Sequence, residues 1–547
     1  MVESRAGKQV QDLETLLPKL GGLPLALVQA GSYLAATGIT VSEYVSYYDE
    51  TWADLMRYQE QFPLQEYAER SVLTTWKMSY EQVRSTNALA ARLLDLWAFL
   101  FRGDLWIELV LAGKDTVTQQ DLREADPLLQ ATKLTLQHSV SILVQYSMVT
   151  MGTGSVRHSI HPVVHAWCAY NIETTTAEQQ LLSTALRLVA AMAETLPEVG
   201  SPETGLRLAA HAKALGGRAE MLIEDDDEDI STECYDVALF LARWERSGEV
   251  EMLYLRALRG FEKALGAEHT STLETFNNLG ILYADQEKLV EAEEMFLRAL
   301  RGKEKAYGAE HTSTLVTVNN LGTLYREQGK IVEAEEIYLR ALRGYEKAYG
   351  AEHTSMLATV HNLGTLYREQ GKIVEAEEMY LRALRGYEKA YGAEHTSILN
   401  TVNNLGVLYF HQGRIDEAEE MFLRALRGYE KAWGTEQEQS KQERTSTREV
   451  VFNLGVFYED QGRIVEAKEM FSRALLGYRA LQNPPQAQID FLERKLASMQ
   501  KAEEYSVARL DPEISTINPT LPQCPRSPSP HSDLLEKSAQ RKRRRSS

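Results

Sequence analysis

Cysteine is scarce in this chain of 547 residues: Cys168, Cys234 and Cys524 lie far apart, with no Cys-x-x-Cys or Cys/His spacing. That excludes a disulfide framework and the usual zinc patterns, and reads as reduced thiols in the cytosol or nucleus. No stretch of about 18 apolar residues occurs, so no membrane span is expected. The start, Met1-Val2-Glu3-Ser4-Arg5, has no apolar signal core. Positive charge is outweighed, 59 Lys and Arg against 78 Asp and Glu, for a net charge of -19. This argues against a nucleic-acid partner for the folded body, because phosphate binding needs a basic face. A phosphate-cradling Gly-x-x-x-x-Gly-Lys-Ser/Thr loop is missing as well. Gly7-Lys8, Gly113-Lys114, Gly302-Lys303, Gly329-Lys330 and Gly371-Lys372 are none of them followed by Ser or Thr. Without that hydroxyl and its glycine loop, ATP hydrolysis by this chain alone is not expected. Gly-x-Ser-x-Gly, His-Glu-x-x-His and an activated cysteine are lacking too, so the chain reads as no enzyme.

What is abundant is internal repetition. Leu279-Gly280, Leu321-Gly322, Leu363-Gly364 and Leu405-Gly406 recur every 42 residues, and Leu454-Gly455 follows 49 residues on, with the surplus in the polar stretch Glu436 to Arg444. Each copy reads as two helices. Leu315, Val318, Leu321, Leu324 and Tyr325 make one helical stripe; Ile331, Ala334, Ile337, Tyr338, Ala341, Leu342 and Tyr345 make the next. Thr312 and Ser313 are expected N-caps, and Gly329 and Gly350 helix ends. Gly322 costs about 1 kcal/mol in mid-helix, so its recurrence predicts a close approach, with Ala334, between the two helices. One such pair cannot bury its face alone; stacked copies can. The chain resembles tetratricopeptide repeat proteins, in the 42-residue form of kinesin light chains. The motif residues are Leu279, Gly280, Tyr283, Ala292, Phe296 and Ala299, and again Leu363, Gly364, Tyr367, Ala376, Tyr380 and Ala383. The resemblance covers about 235–482. A worn copy runs from Val237 to Gly266, and Gln488 to Tyr505, with Ile489, Leu492, Leu496 and Met499, is expected to close the stack.

Asn278, Asn320, Asn362, Asn404 and Asn453 hold one slot in the first helix of each copy. Asparagine is a poor helix former whose amide both donates and accepts. A row of such amides suits the backbone of an extended peptide in the groove, a slot that faces the groove in the family. A repeat-to-repeat hydrogen bond, or plain copying, explains them equally. His269, His311, His353 and His395 recur with the same period. They stand too far apart to share a metal ion, which needs bonds of about 2 Å, and a capping or linker-packing role is expected. The Glu-Ala-Glu-Glu runs read as solvated faces paired with Arg and Lys on the next turn.

Ahead of the repeats, Gly22-Leu23-Pro24-Leu25 opens a predicted helix. Trp52-Ala53-Asp54-Leu55-Met56, Arg70 to Trp76, Leu93 to Leu100 and His158 to Trp167 follow in order. This ordered set resembles the back end of an NB-ARC nucleotide-binding module of fungal NLR-like STAND proteins. The resemblance implies a helical subdomain over 1–65, with Pro24 near adenine, and a winged-helix-like subdomain over 66–173. It also implies a diphosphate-sensing histidine at His161, although Pro162 stands where the family has aspartate. A core histidine explains His161 as well. His161 and His165 are four apart, but Pro162 favours a helix start over a metal pair. ADP or ATP is implied only if an upstream P-loop core is supplied. The chain therefore reads as the later part of a longer switch, truncated or encoded separately.

The expected fold class is predominantly all-α: a winged-helix-like N-terminal half, then an α-solenoid of tetratricopeptide helix pairs. Residues 174–234 are expected to be a helical linker, 235–505 the solenoid with its closing helix, and 506–547 a disordered tail. Arg541-Lys542-Arg543-Arg544-Arg545 resembles a nuclear import signal in an otherwise cytoplasmic protein. The expected partner is a protein or peptide in the groove, with self-association as a further option, no nucleic acid, no membrane and no metal. Two readings stand: a sensor and signalling part of an NLR-like switch, or a stand-alone kinesin-light-chain-like scaffold for extended peptides.

Overall fold

The computed structural model describes residues 2, 13–20, 24–57, 67–114, 126–152, 157–170, 172, 175–196, 202–219, 228–244, 247–350, 353–392, 395–433, 441–479 and 486–510. Cys524 and the basic stretch Arg541 to Arg545 lie outside the described residues. The chain divides into two compact units, 1–450 and 451–547.

In the first unit, helices Leu13–Lys19, Pro24–Thr37, Val41–Arg57, Tyr67–Thr86 and Ala88–Trp97 come first. Asn87 caps the last of these through its side chain, which accepts from the Ala90 amide at 2.9 Å. Then come an extended residue, Leu105, helices Ile107–Lys114, Pro127–Gln130 and Lys133–Gln145, and a hairpin of Thr150–Met151 with His158–Ser159. Leu105 bridges antiparallel to His158, exchanging backbone bonds of 2.8 and 2.9 Å, so the hairpin gains a third strand position. The Trp97 ring stacks on His158 with centroids 6.0 Å apart.

Helices Thr175–Thr195 and Pro202–Gly216 fall where a linker is expected, yet both pack against helix Glu228–Ala242. One apolar core runs without a break from Leu16 through Leu182, Leu186 and Leu208 to Leu241 and Leu279. The reason is visible in the side chains: Leu181, Leu182, Ala185, Leu186, Leu188 and Val189 are all buried, which makes this helix apolar on two faces. The worn copy is also longer than its motif, spanning hairpin Glu228–Ala242 and Gly248–Ala264.

Four full hairpins follow in this unit: Thr270–Asp285 with Leu289–Tyr307, Thr312–Glu327 with Ile331–Tyr349, Thr354–Glu369 with Ile373–Tyr391, and Thr396–His411 with Ile415–Trp433. The third opens with one 3₁₀ turn over Thr354–Met356. First helices of successive copies lie beside one another. The expected stripes form the core, with Leu315, Val318, Leu321, Ala334, Tyr338 and Ala341 buried. Gly322 is indeed a close approach, but its neighbour is Tyr338 rather than Ala334: a Cβ there would lie 2.8 Å from that ring. A second recurring glycine, Gly344, makes the matching contact, its Cβ position 2.5 Å from the Leu315 side chain.

The cap differs from the expected one. Thr312 and Ser313 are inside the first turn, and His311 is the N-cap, its Nδ1 accepting from the Ser313 amide at 3.3 Å. His269 and His353 do the same for Ser271 and Ser355, at 3.3 and 3.2 Å. An imidazole with a free Nδ1 lone pair replaces the usual hydroxyl. The acidic runs differ too. Glu293 accepts from Lys330 at 3.0 Å and Glu335 from Lys372 at 3.2 Å, in the following copy rather than on the next turn. Arg382–Glu346 and Arg424–Glu388, both at 2.6 Å, make a parallel row.

In the second unit, Phe471 packs against Gly455 just as Tyr338 does against Gly322. Helix Gln486–Leu510 lays Ile489, Leu492 and Met499 onto helix Ile464–Arg479. Among the described residues no single helix is long and apolar enough to cross a membrane.

Candidate functional site

The asparagine slot sits on the first helices, half-buried in every copy. In the first unit each of these amides reaches back one repeat. Asn320 Nδ2 donates to Asn277 Oδ1 at 3.1 Å, and Asn362 Nδ2 to Asn319 Oδ1 at 3.2 Å. Asn404 Nδ2 donates to His361 Nε2 at 3.3 Å, and Asn278 Nδ2 to the Tyr235 hydroxyl at 2.9 Å. A second row therefore runs beside the first: Tyr235, Asn277, Asn319 and His361. The signal for it lay in the doubled asparagines 277–278, 319–320 and 403–404. Of the two explanations for the slot, the repeat-to-repeat bond is present. In Asn320 and Asn404 it uses one amide hydrogen and leaves a second N–H and the carbonyl oxygen to offer; Asn362 Nδ2 also reaches Thr323 Oγ1 at 3.4 Å, and Asn278 Oδ1 already accepts from Asn277 Nδ2 at 3.4 Å. Asn453, in the second unit, is half-buried on helix Lys441–Asp460. The residue before it is Phe452, whose ring packs on Phe471 and Phe491.

The rungs are braced from below. Thr317 Oγ1 donates to Asn277 Oδ1 at 3.0 Å, and His361 Nδ1 lies 2.9 Å from Thr401 Oγ1. Because Asn404 donates to Nε2, the network places the imidazole proton on Nδ1. Burial pushes the His361 pKa down to about 4, with Arg326 and Arg368 adding to the shift. Lys303 is a further departure, buried where Tyr345, Tyr387 and Tyr429 stand in later copies. Its ammonium meets Glu274 at 3.0 Å and Thr317 Oγ1 at 3.1 Å. Burial lowers its pKa, and Glu274 holds it partly up. A lone buried ammonium is costly, so the carboxylate at 274, replaced by Val316 and Ala358 in the next copies, is its necessary companion.

The two residues implied by the nucleotide-module resemblance are both exposed. Pro24 is the first residue of helix Pro24–Thr37, and His161 precedes helix Pro162–Tyr170. His161 Nδ1 accepts from the Val163 amide at 3.3 Å, a capping bond. His165 turns inward, its Nε2 2.9 Å from the Leu100 carbonyl, so the two imidazoles do not face one ligand. Among the described residues no hydrogen bond or ring contact joins Pro24 to His161.

A model of the tetratricopeptide repeat family matches in overlapping windows, residues 232–305, 277–347, 313–389 and 355–431. An NLR-like protein (nucleotide-binding, leucine-rich repeat) of Hyaloscypha variabilis is 25% identical over 293 residues, covering 51% of this chain. The chain spans 27% of that relative's length. Among solved structures, a kinesin light chain homologue of Podosopora anserina with nearly identical repeats is 24% identical. It covers 40% of this chain and 100% of its own, with a TM-score of 0.31. BtubC from P. vanneervenii is 23% identical, covering 46% and 93%, with a TM-score of 0.32. A STAND protein with a tetratricopeptide repeat sensor from Pyrococcus horikoshii is 13% identical, covering 93% and 73%, with a TM-score of 0.36. Hairpin geometry and matched windows agree: the helix pairs from Glu228 to Trp433 form a solenoid of the tetratricopeptide type, a fold that serves protein–protein interaction.

Proposed function

We propose that this chain is a non-catalytic protein-binding and signalling module whose first-helix amides hold an extended segment of a partner protein. The observation that carries the reading is the amide row: Asn278, Asn320, Asn362 and Asn404 keep one register and are half-exposed, and Asn320 and Asn404 retain both donor and acceptor capacity after the rungs are made. Asn453, in the second unit, is proposed to act in the same way within its own copy. An extended backbone presents alternating carbonyls and amides, which such side chains pair with from either side.

The N-terminal half is read as the switch platform of an NLR-like STAND protein. The name of the Hyaloscypha relative supports this, as does the order two helices, Leu105 bridge, three helices (the middle one a single turn, Pro127–Gln130), hairpin within 67–159, which suits a winged helix. In this reading 1–65 is the helical subdomain, 66–173 the winged-helix-like subdomain, and Pro24 and His161 face a nucleotide held by a P-loop core outside this chain. The sensor would be 235–505. Cytoplasmic residence, with nuclear import through Arg541 to Arg545, belongs to the same proposal. The second reading, a stand-alone scaffold for extended peptides, is favoured by one observation: the N-terminal helices share an unbroken core with the first repeats, as a fixed platform would.

Peptides selected from a random display library on the full chain test the groove. They are expected to bind at least tenfold more weakly to the Asn320→Ala/Asn362→Ala/Asn404→Ala protein, with its helical circular dichroism retained. Equal binding would reject the ladder as the contact surface. The purified chain is expected to turn over no ATP, and tight binding of nucleotide by it alone would overturn the reading of its N-terminal half.

A further inference from the structure

Faithful copying makes departures conspicuous, and two of them leave a charge on the groove side without its counterpart. The first is at the beginning of the ladder. The Asn278–Tyr235 bond has the same 43-residue offset as Asn320–Asn277 and Asn362–Asn319. Asp236 therefore fills the slot that the asparagines fill later. A carboxylate there accepts only, where an amide also donates. Asp236 is half-buried and enters no hydrogen bond or ion pair among the described residues. Its charged neighbour, Glu194 on helix Thr175–Thr195, has the same sign; burial first, and then Glu194, hold the Asp236 carboxyl up to about 6. Two carboxylates facing each other without a cation are an unfavourable arrangement that a bound positive group relieves.

The second departure lies further along. Arg326 Nη1 donates to Glu369 Oε1 of the next copy at 2.8 Å. One repeat later Arg368 takes the place of Arg326, but position 411 is His rather than Glu. Arg368 enters no ion pair among the described residues, and its Nε is buried without a hydrogen-bond partner. It reaches the Tyr380 hydroxyl, and Glu449 feels its charge without pairing with it. A guanidinium presents a planar fork suited to a carboxylate, and this one has none.

We infer that the groove takes an extended peptide of mixed charge, with a lysine or arginine against Asp236 and Glu194 and an aspartate or glutamate against Arg368. This rests on the ladder being the ligand surface. Asn278, Asn320 and Asn362 lie between the two charges and hold the intervening backbone. Three steps between first helices, at about 9 Å each, span roughly 27 Å. At about 3.3 Å per residue the two charged side chains of the ligand stand about eight residues apart.

Selection of random dodecapeptides on the immobilised full chain tests this. The enriched sequences are expected to carry one basic and one acidic residue about eight positions apart. Asp236→Asn should erase the basic preference and Arg368→Gln the acidic one, each weakening the selected peptides about tenfold while the other preference persists. Arg368→Lys, which keeps the charge, should restore the acidic preference and guards against a folding defect. Enriched peptides without the charge pattern, or preferences indifferent to both substitutions, overturn the inference. Peptides that bind the wild type, fail on the triple asparagine variant and lack the pattern overturn it while leaving the groove reading intact. A selection that yields nothing overturns both.

Discussion

His361 interrupts a row of asparagines, and its chemistry differs from theirs in one measurable respect: it titrates. Its neighbours are Thr401 and Asn404 as hydrogen-bond partners, the Tyr380 ring at 5.5 Å, and the charges of Arg326 and Arg368. The folded pKa of about 4 lies below the ordinary value of 6.5, so the folded state resists protonation. Stability is then fully present above pH 6.5 and is lost as the pH falls toward 4. His361→Asn, the residue found at the equivalent positions 277, 319 and 403, should match the wild type in urea denaturation at pH 7.5. At pH 5 it should be more stable by about 1 kcal/mol, allowing for solvent screening of a partly exposed ring. Equal acid sensitivity in the two proteins would show that His361 is not the titrating group. The same comparison between copies explains why Lys303 was recognisable in the sequence as an oddity, although its partner was not. Glu274 precedes it by 29 residues, and only the hairpin brings the two within 3.0 Å.

At the scale of the element, each of the four full hairpins is held by two interlocking contacts, an aromatic ring on one glycine and a leucine on another. Tyr338 is fully buried and its hydroxyl is 2.9 Å from Thr323 Oγ1, so the ring is fixed at both ends. Gly322→Ala would gain about 1 kcal/mol of helix propensity. It would also place a methyl 2.8 Å from two ring carbons that have nowhere to go. Overpacking of this kind costs about 1–3 kcal/mol, and the net expectation is a loss of about 1 kcal/mol, read as a lower midpoint in thermal unfolding. A raised midpoint would mean the ring moves more freely than its contacts allow. The sequence predicted the close approach from the recurrence of the glycine. It did not identify the ring, because Ala334 and Tyr338 lie on the same helical stripe and only packing separates them.

For the whole solenoid, the consequence of copying is that each kind of inter-repeat bond keeps its own offset from copy to copy: 37 residues for the lysine pairs, 36 for the arginine pairs and 43 for the asparagine rungs. Lys330–Glu293 and Lys372–Glu335, the Arg382–Glu346 and Arg424–Glu388 pairs, and the asparagine rungs all obey it. Individually the exposed ion pairs contribute about 0–1 kcal/mol; what they share is a register. Deleting residues 312–353 should therefore rejoin the stack without a fault, since His311 would then precede Thr354 as His353 does now, and Asn362 would meet Asn277. The shortened protein is expected to keep its helical circular dichroism per residue and a cooperative melt. Loss of either would show that the repeats are less interchangeable than their contacts imply.

The sequence by itself determined the period, the two stripes of every hairpin, the slot of the asparagines and the rows of histidines and glutamates, because each follows from spacing along one helix or from comparison between copies. The tertiary structure alone decided who meets whom. Which amide hydrogen a rung consumes, that the glutamates reach to the next repeat, and that 175–216 belongs to the core are facts about distances between segments remote along the chain. Helical periodicity sets the direction of a side chain relative to its own helix, and nothing in it sets the position of a neighbouring helix.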